Sequence, residues 1–151
     1  MQVISRRRLL TFSGIAAALG PAGLPAEAAA ATPTEQSNVK LVTDFCAAWV
    51  GRDIERLMPY LADTVTYRIT ETTPPIVGRT AFHDRIKAII DRMTAIEFKV
   101  TDTMAMGPLV LTERLDTLAS PQRTQRFHAV GVFFLVDGKI VEWTDYIIAE
   151  G

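Results

Sequence analysis

Four strand patterns joined by short turns fill the second half of the chain and constrain its fold more than any other feature. Apolar and polar residues alternate within each pattern, imperfectly in the first, as expected of strands that bury one face. Gly107-Pro108, Ser120–Arg123 and Asp137-Gly138 separate the patterns, and turn residues of this kind connect neighbouring antiparallel strands. The predicted strands are residues 98–106, 109–119, 124–136 and 139–149.

The first half of the 151-residue chain combines three helical patterns with one strand. Apolar residues recur at helical spacing in residues 38–50, 54–60 and 80–93. Residues 64–70 alternate as a strand, and a loop stiffened by two prolines follows at residues 71–78. We therefore predict an α+β fold, in which about three helices cover one face of a curved, mostly antiparallel sheet and leave a cone-like cavity between them.

The N-terminus has the features of an export signal. Three consecutive arginines in Ser5–Thr11 form a twin-arginine pattern, and they precede an apolar run and small residues suited to cleavage. The run, Phe12–Leu24, is too short and too interrupted by glycine and proline to span a membrane stably. A fortuitously basic, alanine-rich tail is the alternative. We predict a twin-arginine signal peptide at residues 1–30, a linker at 31–37 and one domain at 38–151, exported to the periplasm or secreted.

The composition of the predicted mature chain argues against several kinds of partner. Removing residues 1–30 takes away three of the 16 basic and one of the 17 acidic residues, which leaves a net charge of −3. No basic patch with interleaved aromatic residues is present, so nucleic acid is not expected to bind. Cys46 is the single cysteine and is expected in the core. His83 and His128 lack a second ligand at a recognisable spacing, so neither a metal nor another cofactor is predicted.

A charged pair on the second of the four strands lies in an apolar setting. Arg114 and Asp116 are two residues apart, so they share one face, and a buried carboxylate is costly unless it is paired. Asp145 lies on the last strand between Trp143 and Ile147 of the same face. Two carboxylates and one guanidinium in an apolar cavity are the parts of an acid/base site. A structural ion pair on an outer strand face is the alternative.

Several segments together carry a family resemblance over residues 38–148. The combination of Thr-Glu-Arg-x-Asp with Trp-x-Asp-Tyr is fairly specific, whereas either motif alone is weak. On these residues the chain resembles the limonene-1,2-epoxide hydrolase family, within the wider group of cone-shaped folds that includes nuclear transport factor 2, ketosteroid isomerase and the polyketide cyclases. The segments are Asp44–Trp49, Pro74–Arg79, Thr112–Asp116, Gly131–Phe133, Asp137–Ile140 and Trp143–Tyr146.

The resemblance implies a role for each residue of the charged cluster. Asp145 resembles the carboxylate that takes a proton from an attacking water, Asp116 resembles the acid that protonates the epoxide oxygen, and Arg114 resembles the residue that bridges them. Tyr67 matches a tyrosine that holds the water, but Ile69 stands where the family has an asparagine. This departure removes one partner of the water and predicts slower attack, unless Arg68, Thr70 or a backbone group takes the place of the asparagine. The resemblance also implies a homodimer packed through the sheet.

The pocket around the cluster is expected to be apolar and to suit a small lipophilic molecule. The leading hypothesis is a cofactor-independent epoxide hydrolase that forms a vicinal diol in one step. A non-catalytic binder of an apolar ligand is one alternative, and an isomerase or cyclase of the wider fold group in the same cavity is another. The predicted pocket residues are Ile69, Leu118, Phe127, Ala129 and Ile147.

Overall fold

Residues 30–148 are described by a computed structural model of the protein. The predicted signal peptide lies outside the described residues except for Ala30, and so does the predicted end of the last strand at Ala149. Within the described range, no helix is both long and apolar enough to cross a membrane.

Helix α1 spans Pro33–Ala48 and begins with a capping box. The Thr32 hydroxyl accepts a hydrogen bond from the backbone N–H of Glu35, and the Glu35 carboxylate accepts one from the backbone N–H of Thr32. Pro33 fits the first helical position because its fixed φ is already helical. The predicted linker is therefore wrong for residues 33–37, which belong to the helix.

The second predicted helix takes a different form. Residues 54–60 make two turns of 3₁₀-helix, Ile54–Arg56 and Met58–Tyr60. Asp53 caps the first turn by accepting a hydrogen bond from the Glu55 backbone N–H. Pro59 has no N–H to donate, which prevents a continuous α-helix through this segment. Helix α2, the third predicted helix, spans Arg79–Ile90.

Six strands form one sheet in the order β2-β1-β6-β5-β4-β3. All neighbouring pairs are antiparallel except β1 with β6, which is parallel. The predicted α+β fold with a mostly antiparallel sheet is confirmed, and β2 is a short strand within the proline loop that was not predicted. The strands are β1 (Leu61–Arg68), β2 (Ile76–Val77), β3 (Ala95–Met106), β4 (Leu109–Ala119), β5 (Thr124–Val136) and β6 (Lys139–Ile148).

The inner face of the sheet packs against α1 and α2 around Trp143. The Trp143 ring stacks on Tyr67 of β1 at 3.9 Å and on Phe133 of β5 at 5.3 Å between ring centroids. Phe45 of α1 meets the Trp143 ring edge-on at 5.2 Å. All four rings are buried. The core is thus a cluster of aromatic rings directly beneath the middle strands.

The outer face of the sheet is apolar as well, although no element of residues 30–148 covers it in the way that the helices cover the inner face. Strand alternation places its residues opposite to those of the core. His128 lies on this face and pairs with Glu113 at 2.8 Å. Exposed apolar residues of the outer face include Met104, Leu115, Phe134, Tyr146 and Ile148.

Candidate active site

Strand register brings the charged cluster together on the inner face. Gly131 of β5 pairs with Thr112 of β4 on one side and with Asp145 of β6 on the other. Arg114 and Asp116 follow Thr112 at the period of two that keeps side chains on one face. The alternation read from the sequence therefore predicted the correct face for all three charged residues.

The Arg114 guanidinium bonds both carboxylates. Its Nε donates to Asp116 Oδ1 at 3.1 Å and its Nη2 donates to Asp116 Oδ2 at 3.0 Å, which is a two-point contact. The same Nη2 donates to Asp145 Oδ1 at 2.7 Å. Arg114 has no exposed surface, and the side chains of Asp116 and Asp145 are 9% and 6% exposed. The outer-face ion pair considered as the alternative is thus excluded by the burial of all three side chains.

Asp145 receives two further donors. Trp143 Nε1 donates to Asp145 Oδ1 at 2.8 Å, and the Tyr67 hydroxyl donates to Asp145 Oδ2 at 3.3 Å. A carboxylate has about four acceptor positions, and with the bond from Arg114 three of them are filled. The position left on Oδ2 can accept one more hydrogen bond.

Aromatic rings pack against the guanidinium and exclude water from it. The Arg114 Cζ atom lies 4.8 Å from the Phe98 ring centroid and 5.8 Å from that of Trp143, within the range of cation–π attraction. Burial raises the pKa of the Cys46 thiol to about 12, so the thiol stays protonated as the neutral core residue that was predicted. The site is therefore an ionic cluster in an apolar enclosure.

Burial acts on the protonation of each charged group. It raises the pKa of Asp145 to about 6, although Arg114 and the Trp143 hydrogen bond oppose this rise. It raises the pKa of Asp116 as well, against the opposing charge of Arg114. Burial alone would lower the pKa of Arg114, but the charge of Asp145 and its other neighbours outweighs burial and raises that pKa. The guanidinium therefore remains charged while the carboxyls titrate.

The net charge of the cluster explains why its carboxyls hold a proton. One guanidinium and two ionised carboxylates carry a net charge of −1, and burying that charge is costly. Binding one proton makes the cluster neutral, and the proton belongs to the coupled set rather than to one residue. Three donors to Asp145 favour its ionised form, although burial still raises its pKa to about 6, and Asp116 keeps acceptor positions at which a proton can also reside. The neutral cluster thus contains one carboxylic acid and one carboxylate.

The predicted pocket residues follow the inner face outward from the cluster. Ala129 pairs with Arg114 and is fully buried, while Phe127 pairs with Asp116 and is half-buried. Leu118 and Ile69 are half-buried and pack against the core. Ile147 is 38% exposed, so it lies at the rim rather than inside. The exposure of the five residues thus increases from the interior of the inner face to its rim.

A cavity of about 410 Å³ borders Asp116 and Phe127 from the other side of the sheet. The remaining lining residues of this cavity alternate along their strands with residues of the inner face, so the cavity opens on the outer face. It is therefore not the cone-like cavity that was predicted between the sheet and the helices. Beside Asp145 the inner space is instead packed by Tyr67 and Trp143. The other lining residues of the outer cavity are Glu97, Lys99, Leu115, Thr117 and Arg126.

Three residues of the site were missed by the sequence analysis. Trp143 was named only as a neighbour of Asp145, yet its indole N–H bonds that carboxylate. Phe98 packs on the guanidinium, and Gly131 lies against it. The spacing of Trp143 two residues before Asp145 was an available signal, because it puts both side chains on one face. Nothing in the sequence connected Phe98 or Gly131 to Arg114.

Comparisons with known proteins agree with this fold. The SnoaL-like domain family model matches residues 42–143, and the chain belongs to this family. Among solved structures, an epoxide hydrolase of M. tuberculosis described as LEH-like is 28% identical over 77% of this chain and 86% of its own, with a TM-score of 0.70.

Two more distant structures share the fold. A protein of Jannaschia sp. CCS1, provisionally described as a SnoaL-like polyketide cyclase, is 14% identical over 79% of this chain and 90% of its own, with a TM-score of 0.69. SalBIII, described as an epoxide hydrolase/cyclase-like enzyme with a role in pyran ring formation in the polyether salinomycin, is 17% identical over 76% and 92%, with a TM-score of 0.68. The fold is thus shared by proteins described as hydrolases and as cyclases.

The hydrogen bond from Trp143 to Asp145 has a measurable consequence. We expect Trp143→Phe to raise the pKa of Asp145 further, because a donor that favours the ionised carboxylate is removed while an aromatic ring is kept. A ¹³C NMR titration of the aspartate carboxyls measures this shift. Trp49→Phe is the matched control, since Trp49 is also buried and its Nε1 has no hydrogen-bond partner among the described residues. Equal shifts in the two variants would contradict the role given to Trp143.

Proposed function

We propose that the protein opens small lipophilic epoxides by one-step general acid/base catalysis, with water as the nucleophile and a vicinal diol as the product. The observation that carries the proposal is the buried guanidinium of Arg114 held between two carboxylates of unequal surroundings. The 28% identity to an LEH-like epoxide hydrolase supports the same chemistry. Epoxide opening needs an acid and a base at one pH, and the neutral cluster supplies both.

The proposed reaction assigns one proton movement to each carboxyl. Water donates a hydrogen bond to Asp145 Oδ2 and attacks an epoxide carbon as Asp145 takes its proton. The carbon–oxygen bond of the ring breaks, and the epoxide oxygen takes the proton of Asp116. Arg114 stays charged and stabilises whichever carboxylate is ionised. At the end Asp145 is protonated and Asp116 is ionised, so one proton must return across the cluster before the next turnover.

The proposal is tested by substitutions that keep the shape of the site. We expect Asp116→Asn and Asp145→Asn each to lower diol formation from limonene oxide or cyclohexene oxide by at least about 100-fold, since general acid and base catalysis contribute factors of this size. Mass spectrometry of the diol formed in ¹⁸O-water measures both rate and label. Glu113→Gln is the matched control on the outer face. The proposal fails if a broad epoxide panel gives no diol with the unaltered protein.

A second candidate reaction uses a hydroxyl of the substrate itself as the nucleophile. Ile69 favours it, because an apolar residue stands where the resembled family has the asparagine that holds water. Asp145 and Tyr67 then remain as partners for a free water, and a loosely held water attacks slowly. A hydroxyl attached to the epoxide chain needs no such partner, and Asp145 would accept its proton in the same way. The product would be a cyclic ether.

The two reactions can be distinguished by their products from one substrate, an epoxide that carries a hydroxyl group on the same carbon chain. If the second candidate is correct, the unaltered protein forms the cyclic ether in excess over labelled diol. We then expect Ile69→Asn to raise the share of diol by at least about tenfold, because an added amide can hold the water. Ile89→Asn, the same change at a half-buried position of α2, should leave the ratio unchanged. A predominance of diol from the unaltered protein would refute the second candidate reaction.

We propose further that the protein forms a homodimer through the outer face of the sheet. The exposed apolar side chains of four adjacent strands support this, since a contiguous apolar surface of this kind marks an interaction site. Glu113 and His128 lie within that surface and contact each other. Glu97, Lys99 and Arg126 add charges of both signs to the same face, so a second copy would have to pair them or leave them at the edge of the contact.

The dimer is tested by placing a charge on the proposed interface. Leu115 is exposed on the outer face, and we expect Leu115→Lys to convert the dimer into a monomer because each copy would bury an unpaired ammonium group. Size-exclusion chromatography with light scattering measures the mass. Val50→Lys puts the same charge at an exposed apolar residue away from the sheet and should leave the dimer intact. A monomeric unaltered protein would contradict the proposal.

A further inference from the structure

Gly131 occupies a position at which the backbone does not require glycine. It lies within the central strand β5, and of the glycines in the described residues those with positive φ are Gly78, Gly107 and Gly138. Glycine in a strand interior weakens the strand, because it loses more conformational entropy on folding than other residues and has no side chain to pack. A different reason must therefore account for glycine at this position.

The space above Gly131 is occupied by the charged cluster. A Cβ atom at this position would lie 2.6 Å from Arg114 Nη1, 2.7 Å from Phe133 Cε2 and 2.8 Å from Thr112 Oγ1. All three separations are shorter than real Cβ contacts, so each neighbour would have to move or the strand itself would have to shift. The guanidinium therefore lies directly against the strand backbone, in the volume that a side chain would fill.

The position of Nη1 fixes what the other guanidinium nitrogens can reach. Nη1 itself is buried and has no hydrogen-bond partner among the described residues. The guanidinium is planar and rigid, and a shift of Nη1 away from β5 moves Nη2, which holds Asp116 and Asp145 together. Asp145 pairs with Gly131 across the sheet, so the shared bond depends directly on this close approach.

We propose that Gly131 is a positioning residue that sets the depth of the Arg114 guanidinium, so that one nitrogen can bridge Asp116 and Asp145. Gly131 contacts no reacting atom and acts through Arg114. The proposal deepens the proposed acid/base function, on which its catalytic consequence rests. The geometric part can be tested without any substrate.

The first test compares two glycine-to-alanine variants of the full chain. Gly131→Ala should displace the guanidinium and weaken its bond to Asp145, so the pKa of Asp145 should rise in a ¹³C NMR titration, since an opposite charge that lowers it has moved away. Gly51→Ala is the control, because its Cβ would meet the flexible end of Arg56 instead. An unchanged Asp145 titration in folded Gly131→Ala overturns the proposal.

The second test asks whether Gly131 acts through the guanidinium. Lysine has no Nη1 atom, so Gly131→Ala should shift the Asp145 titration much less in an Arg114→Lys background than in the unaltered one. If Gly131→Ala alone does not fold, the double variant should fold. Equal shifts in both backgrounds, or failure of both variants to fold, would place the constraint at Phe133 and Thr112 and overturn the proposal.

Activity separates this inference from the proposed function. If both are correct, Gly131→Ala lowers kcat for epoxide opening by about 100-fold with a smaller change in KM, because a misplaced charge acts mainly on the transition state. If the protein opens no epoxide, the proposed function fails while the titration still decides the role of Gly131.

Discussion

The bond of one guanidinium to two carboxylates inside the sheet is the interaction on which the rest of the site depends. Each of the three groups alone would be costly to bury, and together they still carry one excess negative charge. That excess keeps a proton in the cluster at a pH where isolated aspartates are fully ionised. An acid and a base can then coexist within one pair of identical side chains.

The apolar enclosure makes this proton useful. Phe98 and Trp143 lie over the guanidinium, and Tyr67 and Trp143 close the space beside Asp145. The rings over Arg114 exclude water from the guanidinium and so strengthen its interactions with the carboxylates, and the Tyr67 and Trp143 rings carry polar atoms that bind Asp145. The aromatic core is therefore part of the electrostatics of the site as well as of its packing.

The sequence predicted which face each charged residue occupies, but not what holds that residue there. Alternation along β4 and β6 was sufficient to put Arg114, Asp116 and Asp145 together. The parallel pairing of β1 with β6, which brings Tyr67 to Trp143, depends on contacts between distant parts of the chain that no local pattern encodes. The role of Gly131 also depends on a contact between distant residues, since the absence of a side chain matters only because the Arg114 guanidinium packs against that position. The early start of α1 was encoded locally, in the capping box of Thr32 and Glu35.

The difference between the two carboxyls comes from their neighbours rather than from depth alone. Asp145 is the more deeply buried, and burial raises its pKa to about 6 even with its hydrogen-bond donors in place. Its three hydrogen-bond donors act in the opposite direction, and Asp116 receives donors from Arg114 alone. Loss of donation to Asp145 would therefore raise its pKa further and reduce the fraction of the protein in which Asp145 is ionised. Trp143 and Tyr67 accordingly help to keep Asp145 in the ionised form that the proposed reaction requires.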